Sequence, residues 1–394
     1  MTYYLLGVSG FIGKNYYLHL RNQKKNIICL QRDDLNLLKN AKNSDVVINF
    51  CGLNRGDTRE EYEKANHYLL KEIVNMFNKD ALPLLIHISS YMVNGFENVL
   101  HSNLPEYQKY FIESKRNGEN FLINNYPKDR LCIIRPSNIY GYNCEPYYNN
   151  LLVTLIHEKL NKIYKITKIN KNCERNYLSI NGLIKAISDL IDDQKVGLYN
   201  IVSNQNLGLD TLISLIYPIK VPEELSINDG DMSIARRIPI DGESFIVQEN
   251  INDNLAKLQQ QMETIMNIKK LIKIEQRKKL SQSRGDMIEI SNLKSKRLYM
   301  ITLTDHSVRG NHYHLEQIED FYIHKGCLMF LLAHKDDIST VYAIQCKAGD
   351  CITVSPPIIH TLVNDFTGQV PEIFITSTFP YIPNVVLDTV YINI

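Results

Sequence analysis

The 394-residue sequence has little of several features that mark specialised classes of protein. With 44 basic and 43 acidic residues it has almost no net charge, so neither nucleic acid nor a membrane surface is indicated as a partner. Its eight cysteines show no Cys-x-x-Cys spacing, which argues against a disulfide framework and favours a reducing compartment. It has no run of 18 apolar residues, no secretory signal pattern and no internal repeat. We therefore expect a globular, cytoplasmic protein of two or three domains.

Short apolar runs alternate with amphipathic helical patterns over the first 200 residues. The runs "TYYLLG", "NIICLQ", "DVVINFCG", "PLLIHISS" and "RLCIIRPS" are typical of buried parallel strands, and "NHYLLKEIVNMF" is typical of a connecting helix. This alternation predicts an α/β Rossmann-like, doubly wound parallel sheet. We assign it to a domain spanning residues 1–245, whose less regular last part is expected to bind substrate.

The pattern changes twice after this domain. Residues 246–283 are predicted to form a helical linker or dimer seam, because Leu255, Leu258, Met262, Ile265 and Ile272 follow helical spacing. Residues 284–394 contain short β-type runs such as "LYMITL", "DFYIH" and "CITVSP", separated by turn residues. They predict an all-β domain, a small antiparallel barrel or jelly roll.

A glycine-rich stretch near the amino end, "YYLLGVSGFIGKN", predicts a dinucleotide site. Gly7, Gly10 and Gly13 stand between a strand and a helix, where glycine permits a tight turn and close backbone approach. Phe11 and Ile12 begin the helix, whose free N–H groups favour a pyrophosphate.

The end of the second strand, "CLQRDD", bears on the choice between NAD and NADP. Arg32 precedes Asp33; an arginine here favours the 2′-phosphate of NADP, whereas an acid favours the ribose hydroxyls of NAD. We favour NADP(H) and leave NAD open. In "NFCGLNR", after the next strand, Cys51, Gly52 and Asn54 are expected beside the adenosine.

These stretches, with "HISSYMVNG", "FIESKRNGE" and "RPSNIYG", make the N-terminal domain resemble the extended short-chain dehydrogenase/reductase family of nucleotide-sugar enzymes. The resemblance implies that Ser90 and Lys115 are catalytic, and that Lys115 also holds the nicotinamide ribose. The tyrosine that donates a proton in that family corresponds to Phe111, which has no proton to give. Tyr110 or Tyr107 would replace it only with a rotated helix or a different substrate position. Both an active and an inactive reductase stay open.

The same resemblance implies residues that bind the nucleotide sugar. In the strand-to-loop stretch "RPSNIYGYNCEPYYNN", Arg135 and Asn138 would approach the sugar, and Asn149 or Asn150 the diphosphate. Arg175, in "ERNYLSINGL", would contact a phosphate.

The C-terminal domain contains a cluster of residues that commonly bind metals. His312 and His314 alternate along a predicted strand and so project from one face; Glu319 follows them, and His360 comes after a Pro-Pro turn. Three imidazoles and a carboxylate suit a divalent ion such as zinc, manganese, iron or nickel, which would polarise a carbonyl group. The spacing from His312 to Gly326 resembles the first motif of the cupin family and implies a cupin jelly roll.

Polar residues close to this motif are candidates for the acid or base of a reaction at the metal. They are His306, Tyr313, Tyr322 and His324; Tyr313 alternates with His314 and so faces away, and the sequence does not rank the other three. We assign the catalytic role to His306 and Tyr322.

Joined in this order, the two domains resemble the CapF-type capsule enzymes, in the stretches "SGFIGKN", "CGLNR", "ESKRNGE", "NCEPYYNN" and "RGNHYH". The resemblance implies a homodimeric, bifunctional enzyme of capsule or O-antigen biosynthesis. Its zinc-bearing cupin would epimerise C3 of a UDP-linked 4-keto-6-deoxy-N-acetylhexosamine, and its first domain would reduce C4 with NADPH. Phe111 leaves two alternatives. One is a cupin-only epimerase or ketoisomerase with a non-catalytic first domain, and the other is a non-enzymatic nucleotide-sugar binding protein.

Overall fold

The computed structural model divides the chain into two units. The described residues are 1–94, 104–148, 150–166, 168–170, 174–219, 221–222, 225–228, 243–277, 279–282, 285–380 and 392. The first unit comprises Met1–Arg21 and Lys25–Gln259, and the second comprises Asn22–Lys24 and Gln260–Ile394. Among the described residues, no helix combines the length and the apolar character needed to cross a membrane.

The first unit alternates strands and helices along the chain. Its strands are β1 (Thr2–Leu6), β2 (Asn26–Leu30), β3 (Val46–Asn49), β4 (Leu84–Ile88), β5 (Leu131–Pro136), β6 (Asn138–Tyr140), β7 (Lys168–Asn170), β8 (Glu174–Ser179), β9 (Gly197–Ser203), β10 (Asn206–Gly208), β11 (Ser226–Asn228) and β12 (Glu243–Val247). Its helices are α1 (Phe11–Asn22), α2 (Arg59–Glu63), α3 (Leu69–Met76), α4 (Glu106–Asn125), α5 (Leu151–Asn161), α6 (Ile180–Asp192) and α7 (Leu209–Ile216). Short 3₁₀ helices span Arg32–Asn40, Tyr91–Val93 and Lys128–Arg130, and a π-helical turn, Lys64–Tyr68, joins α2 to α3.

Seven of these strands form one parallel sheet, in the order β12-β9-β5-β4-β3-β1-β2. β3 and β5 are buried along their whole length, as expected of strands with both faces covered. The strand order reverses at β1, which lies between β2 and β3. The carboxyl ends of strands at such a reversal form the crevice in which open α/β sheets bind ligands. The predicted doubly wound parallel sheet is confirmed.

The second unit is built from antiparallel strands. They are β13 (Ile272–Gln276), β14 (Lys279–Gln282), β15 (Gly285–Ile288), β16 (Arg297–Thr302), β17 (Val308–His312), β18 (Glu319–Lys325), β19 (Cys327–His334), β20 (Asp337–Lys347), β21 (Asp350–Val354), β22 (Ile358–Val363) and β23 (Glu372–Ser377). They form sheets in the orders β13-β21-β18-β23-β16, β17-β22-β19-β20 and β14-β15. The two larger sheets pack on each other, because the Phe321 ring on β18 lies 5.1 Å from the rings of Phe330 on β19 and His360 on β22. The predicted all-β class is confirmed.

The amphipathic segment between the predicted domains forms a helix, α8 (Ile251–Leu271). Leu255, Leu258, Met262 and Ile265 are buried on it at the predicted helical spacing. Ile272, which the sequence analysis included in this pattern, is instead the first residue of β13, and that strand pairs with β21. The antiparallel unit therefore includes residues that the sequence analysis assigned to the linker.

Candidate functional site

The glycine-rich stretch forms a tight turn between β1 and α1. Gly7 has a φ of 81°, and its carbonyl accepts a hydrogen bond from the amide of Gly10, 3.1 Å away. A Cβ on residue 13 would lie 2.2 Å from that same carbonyl oxygen, so only glycine fits there. Phe11 and Ile12 begin α1 directly after the turn. The first amides of the helix are therefore placed as a pyrophosphate site requires.

A cavity of about 290 Å³ lies beside this turn, at the carboxyl ends of β1 and β2. Its lining residues come from these strand ends, from the loop after β3 and from the helical segment that begins at Lys64: Leu6, Leu30, Gln31, Arg32, Leu35, Cys51, Gly52, Leu53, Lys64, Ala65 and Leu69. The cavity and the glycine turn together fit the adenosine end of a dinucleotide. Asn54, also predicted at this site, is exposed and is not among the described lining residues.

Lys115, on α4, is buried beneath the loop that follows β3. Its Nζ donates a hydrogen bond of 3.1 Å to the carbonyl of Ile88, the last residue of β4. Burial lowers the pKa of Lys115 to about 8, although the charge of Glu119 opposes the shift. Ser90 follows β4 by two residues, and its Oγ accepts a hydrogen bond from the amide of Met92. The hydroxyl and the amine thus lie close to the same strand end.

Phe111 lies one helical turn before Lys115, in an apolar cluster. The cluster consists of Tyr62, Leu104, Phe111 and Ile112, with Leu53, Met92 and Tyr110 packed against it. The Phe111 side chain is only 9% exposed. Tyr62 brings a phenol to the cluster, but its oxygen accepts a hydrogen bond from the amide of Gly56. Tyr107 is half-exposed and lines a different cavity, of about 760 Å³.

Arg135 does not lie where the sequence analysis expects it. Its Nε and Nη2 donate to the two carboxylate oxygens of Glu119, at 2.9 and 2.6 Å, and its Nη1 donates to Asn94 at 2.6 Å. The arginine and the glutamate both have no exposed side-chain surface. The predicted contact of Arg135 with a sugar is therefore corrected, because this side chain connects β5 to α4 inside the protein.

The other predicted substrate residues lie at the surface or at a helix end. Asn138 and Arg175 are exposed, on β6 and β8. Asn150 is buried and its side chain caps α5. Asn149 lies outside the described residues.

Three histidines converge in the second unit. His312, at the end of β17, is paired with His360 on β22, and His314 lies just beyond the strand. The ring of His312 is 4.9 Å from that of His314 and 4.7 Å from that of His360, centroid to centroid. One ligand atom from each of the three lies within 4.8 Å of the other two. Gly310 allows this approach, because a Cβ there would meet the carbonyl oxygen of His360 at 2.6 Å.

Glu319 completes this donor set, which we call the histidine cluster (His312, His314, Glu319 and His360). Its Oε2 lies 3.2 Å from Nε2 of His314 and 3.5 Å from Nε2 of His360. Burial alone would raise the pKa of Glu319, but the hydrogen bond that its carboxylate accepts from His314 lowers it overall. Burial lowers the pKa of His312, and that of His360 to about 3, so both imidazoles are held neutral. Neutral imidazoles and an ionised carboxylate are the forms that bind a divalent metal.

Tyr299, on β16, is a polar residue of this site that the sequence analysis missed. Its hydroxyl oxygen lies 3.5 Å from Oε1 of Glu319, and the guanidinium of Arg297 lies over its ring, 4.1 Å from the centroid. Burial raises the pKa of Tyr299 to about 12, so it keeps its proton at neutral pH. No metal-ligand motif includes this strand; the one available signal is the alternation that puts Arg297 and Tyr299 on the same face.

His306 was assigned to this site as a catalytic group, and the structure corrects that prediction. Its amide donates to the carbonyl of Asn364, and its Nδ1 lies 3.3 Å from a carboxylate oxygen of Asp365. Asn364 is four residues beyond His360 along the chain, or about 13 Å at the rise of an extended strand. His306 therefore lies at the opposite end of β17 from the histidine cluster.

Tyr322, the other predicted catalytic residue of this domain, is also corrected. It follows Glu319 by three residues on β18, so the two side chains project from opposite faces of the sheet. Phe321 is on the same face as Glu319 and contacts the ring of His360. Tyr322 instead packs beside His324, with ring centroids 6.4 Å apart.

Comparison with known proteins identifies the class of the chain. Residues 3–202 match the model of the NAD dependent epimerase/dehydratase family, and the chain belongs to this family. No curated protein sequence matches it.

Three solved structures illustrate its structural similarity. The chain is similar to the capsular polysaccharide assembling protein CapF of Staphylococcus aureus, with 15% identity, 98% coverage of both chains and a TM-score of 0.45. It is similar to MoeE5 in complex with UDP-glucose and NAD, with 15% identity, a TM-score of 0.51 and coverage of 66% of this chain and 98% of that one. It is also similar to a UDP-N-acetylglucosamine 4-epimerase of Bacillus cereus, with 15% identity, a TM-score of 0.50 and coverage of 67% of this chain and 96% of that one. The last two similarities show that this chain shares a fold with those proteins.

Proposed function

We propose that this protein is a nucleotide-sugar enzyme of capsule or O-antigen biosynthesis, of the CapF type, whose second unit is a cupin. This unit would epimerise C3 of a UDP-linked 4-keto-6-deoxy-N-acetylhexosamine. The convergence of three imidazoles and one buried carboxylate in the histidine cluster carries the proposal. A divalent metal held there, zinc in our assignment, would supply Lewis acidity at the 4-keto oxygen.

The side chains around the histidine cluster support proton chemistry next to a ketone. A ketone at C4 makes the proton on C3 acidic, and inversion requires that a proton return to the other face of that carbon. Solvent would take up the proton that leaves C3, and we assign to Tyr299, whose hydroxyl keeps its proton beside Glu319, the role of returning a proton to the other face; the phenolate would then recover a proton from solvent. Arg297, over its ring, would keep the tyrosine in place and offer a charge to the diphosphate of the nucleotide.

The first unit would bind NADP(H) and the same nucleotide sugar. The glycine turn and the adjoining cavity would hold the cofactor, and Ser90 and Lys115 would face the nicotinamide end. A general acid typically contributes roughly 10²–10⁴-fold in rate, and Phe111 cannot be one. We therefore propose that reduction at C4 by this unit is slow.

One observation favours the cupin-only alternative, and we therefore retain that alternative. Phe111 is part of a packed apolar cluster, and the phenol of Tyr62 in that cluster is already hydrogen-bonded to the backbone. In that case the first unit binds nucleotide sugar without reducing it. A non-enzymatic binding protein remains the third alternative, and the homodimer and the cytoplasmic location stay predictions.

Proton NMR of the full-length protein with UDP-4-keto-6-deoxy-N-acetylhexosamines in D₂O, with and without NADPH, tests these readings. We expect deuterium to enter C3 without NADPH, and NADPH to be oxidised slowly when it is added. The variant His312→Ala should lose both the metal and the exchange, whereas His334→Ala, a change outside the histidine cluster, should keep both. Full exchange in metal-free protein would refute the cupin assignment. Absence of exchange with the ligands still bound would support the non-enzymatic alternative.

A further inference from the structure

We propose that Lys64 is a second cofactor-specificity residue, which binds the 2′-phosphate of NADP(H) together with Arg32. This inference rests on the proposed function, because it concerns the same cofactor cavity. It adds a residue from a helical element that no dinucleotide motif includes.

The two cations reach the cavity from different elements. Arg32 follows β2, and Lys64 lies where α2 passes into the π-helical turn. Both line the cavity of about 290 Å³ that also contains Gln31, Cys51 and Gly52. A phosphate on the adenosine ribose in this cavity would thus contact cations from two separate segments of the chain.

The acids of "QRDD" do not offer the alternative contact that NAD would need. The carboxylate of Asp34 accepts a hydrogen bond from the amide of Gln31, 3.2 Å away, and so caps the 3₁₀ helix. Neither Asp33 nor Asp34 is among the described residues that line the cavity. An acid that binds the ribose hydroxyls would have to face this space, and a neutral glutamine faces it instead.

Each cation has an exposed carboxylate partner that a phosphate can displace. Arg32 pairs with Glu72 at 2.8 Å, and Lys64 pairs with Glu60 at 2.9 Å. All four side chains are exposed, and exposed ion pairs contribute little to stability. A phosphate dianion carries more negative charge than a carboxylate and can form charge-assisted hydrogen bonds with both cations at once.

The π-helical turn fixes the position of Lys64 relative to the loop after β3. Asn66, buried in that turn, accepts a hydrogen bond from the amide of Leu53 at 2.9 Å and donates to the carbonyl of Leu53 at 3.1 Å. Its amide also donates to Ser114 on α4. Lys64 therefore stands on a backbone that is tied to the cavity wall.

Titration calorimetry of the full-length protein with NADPH, NADH, adenosine 2′-monophosphate and adenosine 5′-monophosphate tests the assignment. We expect the wild type to bind NADPH more tightly than NADH. Lys64→Ala should weaken binding of NADPH and of the 2′-monophosphate by about tenfold and leave NADH unchanged. Lys64→Arg should restore the preference. Lys79→Ala, which removes an exposed lysine that does not line the cavity, should change nothing.

Three results would overturn the proposal, and they differ in what else they affect. Equal affinity of the wild type for NADPH and NADH removes the specificity but leaves a cofactor site. Equal weakening of both dinucleotides by Lys64→Ala makes Lys64 a structural residue. If the wild type binds neither dinucleotide, the proposed role of the first unit fails as well.

Discussion

Arg135 and Glu119 form a two-point ion pair, at 2.6 and 2.9 Å, inside the first unit. Asn94 accepts a hydrogen bond from a further nitrogen of the arginine, and the hydroxyl of Ser89 donates one to the glutamate. Removal of one member of such a pair leaves a buried charge without a partner, at a cost of about 3–5 kcal/mol. We therefore expect Arg135→Ala or Glu119→Ala to lower the free energy of unfolding by this amount, measured by urea denaturation.

The exposed pair of Arg32 and Glu72 provides the control for this prediction. Glu72→Ala should change the free energy of unfolding by less than about 1 kcal/mol. The double variant Glu119→Leu/Arg135→Met removes both buried charges and should recover part of the loss. If Arg135→Ala is as stable as the wild type, the arginine is not structural and its predicted contact with substrate returns.

The buried amine of Lys115 predicts a pH dependence of stability in the alkaline range. The unfolded chain keeps this proton up to a pKa near 10.5, whereas burial lowers the pKa to about 8 in the folded protein. Between these values the unfolded state binds more protons, so the contribution of Lys115 to stability rises with pH. Comparison of urea unfolding at pH 8 and pH 10 should show the rise, and Lys115→Met should flatten it. A wild-type slope that persists in Lys115→Met would contradict the assignment. The variant Lys79→Met, at an exposed lysine, is the control and should keep the wild-type slope.

The sequence predicts those parts of the molecule that depend on local pattern. Continuous apolar runs correctly indicate the parallel strands, because strands covered on both faces need no polar residues. The spacing of His312, His314, Glu319 and His360 indicates residues that the fold does bring together. These predictions need only period and spacing along the chain.

The residues that were misplaced depend on tertiary partners. Arg135 stands in a polar, motif-like stretch, but its partner Glu119 is on a helix whose buried face the sequence pattern does not identify. Tyr322 and His306 are close to the histidine cluster in sequence. However, Tyr322 projects from the opposite face of the sheet, and His306 lies at the other end of β17. Tyr299 could not be found from spacing, since β16 reaches Glu319 through the sheet and not through the local chain.

Phe111→Tyr should raise the rate of NADPH oxidation with a 4-keto nucleotide sugar. The new hydroxyl would stand one helical turn before Lys115, at the place where the family has its proton donor. Phe111→Leu, which keeps the position apolar, should give no increase. A rate of Phe111→Tyr equal to or below that of the wild type would mean that α4 does not serve catalysis as it does in the family.

Removal of metal should make the second unit sensitive to mild acid. In the metal-free protein burial lowers the pKa of His360 from 6.5 to about 3, so the unfolded chain takes up a proton first as the pH falls. The stability that the neutral ring contributes is therefore complete above pH 6.5 and is lost as the pH falls towards 3. Thermal unfolding of chelator-treated protein between pH 7 and pH 5 should show the loss. His360→Gln should reduce this loss of stability. If His360→Gln shows the same pH dependence as the wild type, the ring of His360 is accessible to water.

Tyr299→Phe should separate the proton step from metal binding. The change removes only the hydroxyl that lies 3.5 Å from Glu319, so the histidine cluster should keep its full metal content. Deuterium exchange at C3 should fall by roughly 10²-fold, the lower end of what a general acid contributes. Tyr313→Phe, at a tyrosine that lies between two ligands but is not assigned a role, is the matched control and should exchange normally. If Tyr299→Phe loses metal in proportion to activity, the tyrosine supports the ligand Glu319; if exchange is unaffected, another group returns the proton.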